Sequence, residues 1–100
     1  MPNTKSAAKA LRRSERRRIR NRFWRSTART LIKKARKLIE AGDLEAAAKA
    51  VGDAISVLDR AAAKGVIHKN NAARRKSRLM KRFNALVKAR LGQQAEQQGA

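Results

Sequence analysis

The sequence predicts an all-α fold, an up-down-up three-helix bundle with a long basic N-terminal helix extending beyond it. Three observations carry that prediction. Apolar residues recur at three- and four-residue steps in three successive segments. Pro2 is the only proline and Gly42 the first glycine, so nearly forty residues run without a helix breaker. No stretch alternates β-branched or aromatic residues in the manner of a strand, and no hairpin signal occurs.

The first helix is expected over residues 5 to 40, rich in Ala, Arg, Lys and Leu, which at 1.5 Å per residue spans about 54 Å. Its second half carries Ile19, Phe23, Leu31, Ile32, Ala35, Leu38 and Ile39 as a core face, so the bundle is expected from about residue 19 to 91. Residues 5 to 18 offer only Ala7, Ala8, Ala10 and Leu11 among Lys and Arg. Residues 1–18 are therefore read as a basic arm with little intramolecular reason to fold.

The segment AGDLEAA, residues 41 to 47, reads as a helix stop followed at once by a helix start. Gly42 suits a left-handed C′ position, Asp43 caps the next helix, and Glu45 lies favourably in its first turn. Leu44, Ala47, Ala48, Val51, Ile55, Leu58 and Ala62 then mark an amphipathic second helix. Gly52 either weakens it or lets a neighbouring helix approach closely. Gly65 ends it, with Lys64 near the negative end of its dipole and Val66 and Ile67 tucked inward at the turn. The third helix places Leu79, Met80, Phe83, Leu86, Val87 and Leu91 on one stripe. Gly92 is expected to end it, leaving residues 92–100 as a frayed polar tail.

Composition narrows function before any motif does. The 100 residues hold 27 Lys and Arg against 7 Asp and Glu, a net charge of +20. Of the 42% hydrophobic residues, 20 are alanine, so the core is modest. Self-repulsion at that charge destabilises a compact free state unless a polyanion neutralises it, and nucleic acid is the leading partner. The charge is blocked: +13 over residues 1–40, −2 over 41–63, +10 over 64–91 and −1 over 92–100. Cysteine is absent, which excludes disulfides and thiolate metal sites. No apolar run has the length of a membrane span, and MPNTKSAAKALRRSERRR has no apolar core of a secretory signal. Its Arg- and Ser-rich, acid-poor look is shared with organellar transit peptides, but the same basic pattern recurs near the C-terminus.

Catalysis has little material. His68 is the only histidine and has no cysteine partner; Asp43, Glu45, Asp53 and Asp59 are explained by capping and surface pairing, and no phosphate-cradling glycine loop exists. No enzyme activity, cofactor, metal or small-molecule substrate is expected.

Two basic clusters are the functional signal. In LRRSERRRIRNRFWR, residues 11 to 25, arginines wrap around the helix because consecutive residues are separated by about 100°. Arg12, Arg13, Arg16, Arg17, Arg18, Arg20 and Arg22, with no lysine among them, favour bidentate phosphate contacts; Arg25 continues the series. In KNNAARRKSRLMKR, residues 69 to 82, packing of Leu79, Met80 and Phe83 on the core would leave Arg74, Arg75, Arg78, Lys81 and Arg82 around the exposed flank. Asn70 and Asn71 have two roles open, helix capping or hydrogen bonds to ribose and phosphate, with one Asn enough for the cap; His68 has the same two. Phe23 is assigned to the core, and Trp24 either stacks on a base or ribose or is partly buried at the bundle edge. With 3% aromatics and no Tyr, a sheet-based single-strand platform is poorly supported.

The segments MPNTKSAAKALRRSERRRIRNR, residues 1 to 22, and AAAKGVIHKNNAARRKSRLMKRFNAL, residues 61 to 86, resemble the N- and C-terminal signatures of the bacterial small-subunit ribosomal protein number twenty family. The resemblance covers about residues 1 to 86, with Gly42–Asp43 at the matching boundary. It implies a three-helix protein of the cytoplasmic ribosome, not bound to a membrane, that binds 16S ribosomal RNA directly as one copy per small subunit. Residues 1–91 become a single rRNA-binding domain. By position, the resemblance implies RNA contacts from Lys5, Ser6, Lys9, Arg12, Arg13, Ser14, Arg16, Arg17, Arg18, Arg20, Asn21 and Arg22, and from Lys64, His68, Lys69, Asn70, Asn71, Arg74, Arg75, Lys76, Ser77 and Arg78. The Phe23–Trp24 pair and the chain from about Leu91 on depart from the family pattern and inherit no role. A histone-like DNA-compacting protein is the competing class, distinguished by similar affinity for random duplex DNA and folded rRNA. A membrane-surface peptide is disfavoured because the most basic segment lacks an apolar face.

Overall fold

A computed structural model describes residues 4–99, and all of its elements are helices: α1 (Lys5–Ala41), α2 (Leu44–Ala63) and α3 (Lys69–Gly99). They run up, down and up, with α2 packed against both neighbours. Thr4 starts α1, its hydroxyl accepting from the Ala7 amide at 3.1 Å. Gly42 stops it at φ 77°. The Gly42 amide donates to Ile39 at 3.0 Å and the Asp43 amide to Leu38 at 3.3 Å, the paired bonds of a Schellman end. Asp43 then caps α2, accepting from the Ala46 amide at 3.2 Å. The same construction closes α2, where the Gly65 amide donates to Ala62 at 3.0 Å and the Val66 amide to Ala61 at 2.9 Å, with Gly65 at φ 75°. The reversals at Gly42 and Gly65, and the inward Val66 and Ile67, are as the sequence predicts.

The core is built largely of alanine. Ala35, Ala50, Val51, Ala54 and Leu79 form one cluster; Ala28, Leu58 and Ala72 form a second, and Ile32 packs on both. Leu58 and Leu79 are the largest fully buried side chains. Small side chains let the backbones approach closely, and this moves the buried face away from the one that the large apolar residues suggest. In α2 the buried positions are Ala47, Ala50, Val51, Ala54, Leu58 and Ala61, whereas Ala48 is exposed and Ala62 half-buried.

The lower half of α1 packs as expected, but its upper boundary does not. Ile19 and Phe23 are 65% and 63% exposed, and the core begins at Trp24 and Ala28. Ala28 and Ala35 set the inward direction of α1. Trp24, four residues before Ala28, shares it, while Phe23 is rotated by about another 100°. The expectation that Phe23 faces the core is therefore corrected, and Trp24 takes the half-buried place.

Two further expectations change, and the choice left open at Gly52 is decided. Gly52 is exposed and a Cβ built on it meets nothing within 4 Å, so it permits no close helix approach. Gly92 does not end α3, which continues to Gly99. Among the described residues only Gly42 and Gly65 adopt the left-handed conformation that stops a helix; Gly92 stays helical at modest cost, followed by Gln and Ala, which favour helix. The polar stretch from residue 92 is thus a helical continuation rather than a frayed tail, with Ala100 outside the described residues. Leu91, expected on the core stripe, is 61% exposed because α3 has by then passed the α1–α2 turn.

These lengths give a rod of 79 × 21 × 14 Å. Two long-range hydrogen bonds mark the bundle's ends. The Arg25 guanidinium donates to the Val66 carbonyl at 3.2 Å at one end, and Arg90 donates to the Gly42 carbonyl at 2.6 Å at the other. Beyond Arg25 the first twenty residues of α1 project by about 30 Å; beyond Arg90, α3 projects the opposite way.

Candidate nucleic-acid interface

The arm is a helix without a tertiary partner. From Thr4 to Arg20 every residue but Ala8 is exposed, including Lys5, Ser6, Lys9, Arg12, Arg13, Ser14, Arg16, Arg17, Arg18 and Arg20. Arginines stand on all sides, as the 100° step dictates. At its base Arg17, Arg18, Arg22, Arg25 and Arg29 line an open furrow of about 700 Å³, with Ser14, Asn21 and Ser26 between them. Arg13, Arg16, Arg17 and Arg20 line a smaller depression.

The fold brings the second motif to the foot of this arm. Arg25 is bonded to Val66 in the α2–α3 turn, and the Lys64 ammonium lies 5.4 Å from the centre of the Trp24 ring, a cation–π contact that ties α1 to the end of α2. Arg25 is thus held against the turn that carries Lys64, His68, Lys69 and Asn70, all exposed, although more than forty residues separate Arg25 from Val66 in sequence.

His68 settles the question of what caps α3. Its Nδ1 accepts from the Asn70 amide at 3.1 Å, and its carbonyl receives the Ala72 amide at 3.1 Å. His68 is the cap residue, and Asn70 and Asn71 lie inside the first turn, so neither Asn does the capping. Their side chains, Asn70 exposed and Asn71 half-buried, are free of that duty. The His68 cap uses one ring nitrogen and leaves Nε2 available.

Along α3, Arg74, Arg75, Arg78, Lys81 and Arg82 are all exposed. At 100° per residue they fall within a sector of roughly 120° beside the core stripe of Ala72, Leu79 and Phe83. Ser77 is exposed outside that sector. Lys76 differs from its neighbours: it turns toward α2, is half-buried, and pairs with Asp59 at 2.7 Å. That pair, with Asp59 well exposed, stabilises by no more than about 1 kcal/mol and is open to exchange for a phosphate.

Sequence motifs did not single out Arg29, Lys33, Lys34 or Lys37. Arg29 extends the furrow, four residues beyond Arg25; Lys33, Lys34 and Lys37 line a depression with Thr30 farther down α1. Helical spacing from Arg22 and Arg25 is the signal that places Arg29 on the same side. Among the described residues there is no group of three or more His, Cys, Asp or Glu able to hold a metal ion. No described helix is long and apolar enough to cross a membrane.

The described surface thus gathers guanidinium, ammonium, amide and hydroxyl donors over a projecting helix, a turn and one helix flank. A chain from Thermomicrobium roseum, named small ribosomal subunit protein bS20, is 86% identical over 97 residues, covering 97% of this chain and 98% of its own length. Proteins of the same name from Coprothermobacter proteolyticus and Aquifex aeolicus are 57% and 50% identical, covering 84% and 96% of this chain and 96% and 99% of their own lengths. The family model described as Ribosomal protein S20 matches residues 2–84, and the chain belongs to that family.

Proposed function

We propose that this chain is a structural constituent of the small ribosomal subunit that binds 16S ribosomal RNA directly, one copy per subunit, and aids assembly by neutralising and bridging RNA helices. Family membership supports the ribosomal part; its relatives carry the name of a small-subunit protein and belong to no enzyme family. The observation that supports direct RNA binding is the meeting of the arm with the α2–α3 turn through Arg25 and Val66. Two cationic segments separated in sequence are there held in one fixed relation, so RNA strands gripped by each are held in a fixed relation too. Residues 1–91 act in this reading as a single binding domain.

The mechanism follows from the donor types. Arginine forks bind phosphates in pairs, and each phosphate neutralised releases condensed counterions. A-form RNA presents its backbone and 2′-hydroxyls more readily than its base edges, so shape and charge dominate recognition. The arm, charged on every side, suits a crevice between several backbones, whereas the α3 flank suits one backbone at a time.

Two measurements test this. In a cell lysate resolved on a sucrose gradient, the full-length chain should migrate with small subunits. At equal salt, it should bind deproteinised 16S rRNA more tightly than random duplex DNA. Sedimentation apart from the subunit, or equal affinity for the two nucleic acids, overturns the proposal.

A further inference from the structure

Phe23 is unexplained by folding. It is 63% exposed on a helix whose inward direction is set by Trp24, Ala28 and Ala35, and aromatic residues are only middling helix formers. Its ring is nevertheless held. The Trp24 ring meets it edge to face, with centroids 6.0 Å apart and planes at 80°, and Trp24 is itself fixed by half-burial and by Lys64. Most of the Phe23 surface is left open on a support that does not yield.

The surroundings select an occupant. Arg16 and Arg20 stand seven and three residues before Phe23, within reach of its side of the helix, and no acidic residue occurs between Glu15 and Glu40. The occupant therefore carries negative charge beside a flat apolar face. A partner helix would need apolar anchors over two turns or more, but the patch is only Ile19 and Phe23 long, with Arg16 above and Thr27 below. A nucleotide needs just one ring and a nearby cation. The base must be unpaired, since paired bases within an A-form helix offer no open face.

We infer that Phe23 is a stacking platform for an unpaired base of the RNA, with Arg16 and Arg20 on the adjoining phosphates. The inference rests on the rRNA-binding reading and adds to it a base contact that charge and shape alone do not supply.

The test uses the full-length chain and deproteinised 16S rRNA, with affinity measured across a salt series for Phe23→Ala, Phe23→Leu and Phe23→Trp. Stacking predicts that Ala and Leu each weaken binding by roughly five- to a hundredfold, that Trp restores it, and that the salt slope does not change. Chemical probing of the bound RNA should show a base protected by the wild type and by Phe23→Trp but not by Phe23→Leu. Thermal melts should be nearly equal, because the side chain is outside the core. Wild-type affinity for Phe23→Leu would replace stacking with simple apolar contact and overturn the inference. Equal RNA affinity for all variants, with Phe23→Ala lost from assembled subunits, would assign the platform to a protein and overturn it as well. Wild-type chain that itself fails to prefer rRNA over random duplex DNA would instead sink the functional reading beneath it.

Discussion

His68 caps α3 through one ring nitrogen, Nδ1 accepting from the Asn70 amide, while the residue stays exposed beside Lys69 and Asn70. Removing the cap should cost stability without touching the core: His68→Ala is expected to lower unfolding free energy by about 0.5–2 kcal/mol, read from urea unfolding. His68→Asn, which supplies a cap oxygen, should recover most of that loss. If both variants unfold like the wild type, the histidine is not capping. The sequence left the cap open between His68 and an asparagine; only the helix start at Lys69 separates them. A similar one-residue ambiguity exchanged Phe23 and Trp24. Ile19 and Phe23 look like a core pair at four-residue spacing, and nothing local reveals that the inward direction is set farther down by Ala28 and Ala35.

Helix ends were readable because they depend on few residues. Gly42–Asp43 and Gly65 carry their instructions in backbone conformation and one capping carboxylate, and both reversals fall where those residues stand. Glycine type alone misled at Gly92, which, like Gly52, sits inside a helix without positive φ. That contrast gives a prediction of opposite signs. Gly52→Ala meets open space and removes backbone freedom from the unfolded chain, so it should raise stability by roughly 0.5–1 kcal/mol. Gly42→Ala also meets open space but must adopt φ 77°, and should lower stability by about 1–2 kcal/mol. Thermal melts of the two variants check it; a loss at Gly52 would mean that the exposed face of α2 is constrained in a way its surroundings do not show. The α2 core face was less legible than its ends, because Ala50, Ala54 and Ala61 bury as completely as leucine while carrying little hydrophobic signal.

At the scale of the whole molecule, packing and charge pull the two halves of α1 apart. Below Trp24 the helix is held by Ala28, Ala35 and their partners in α2 and α3. Above it no tertiary contact compensates the repulsion between Arg12 and Arg16, Arg13 and Arg17, Arg16 and Arg20, and Arg18 and Arg22, each pair costing roughly 0.2–0.5 kcal/mol. Against these stand the Thr4 cap, the favourable helix propensity of Ala, Arg and Leu, and the single carboxylate of Glu15. Helix in the arm is therefore nearly balanced, and phosphates placed between the arginines tip the balance toward order. Hydrogen exchange should find the amides of residues 8–20 exchanging orders of magnitude faster than those around Val51 and Leu58 in the free chain, then slowing when 16S rRNA is added. Circular dichroism of the free chain should accordingly show less helix than the full span of α1, α2 and α3. Raising salt screens the same repulsion and should recover part of the missing helix without RNA, whereas it weakens RNA binding. An arm already protected in the free chain at low salt would show that it enters the RNA preformed, and that folding and binding are separate events.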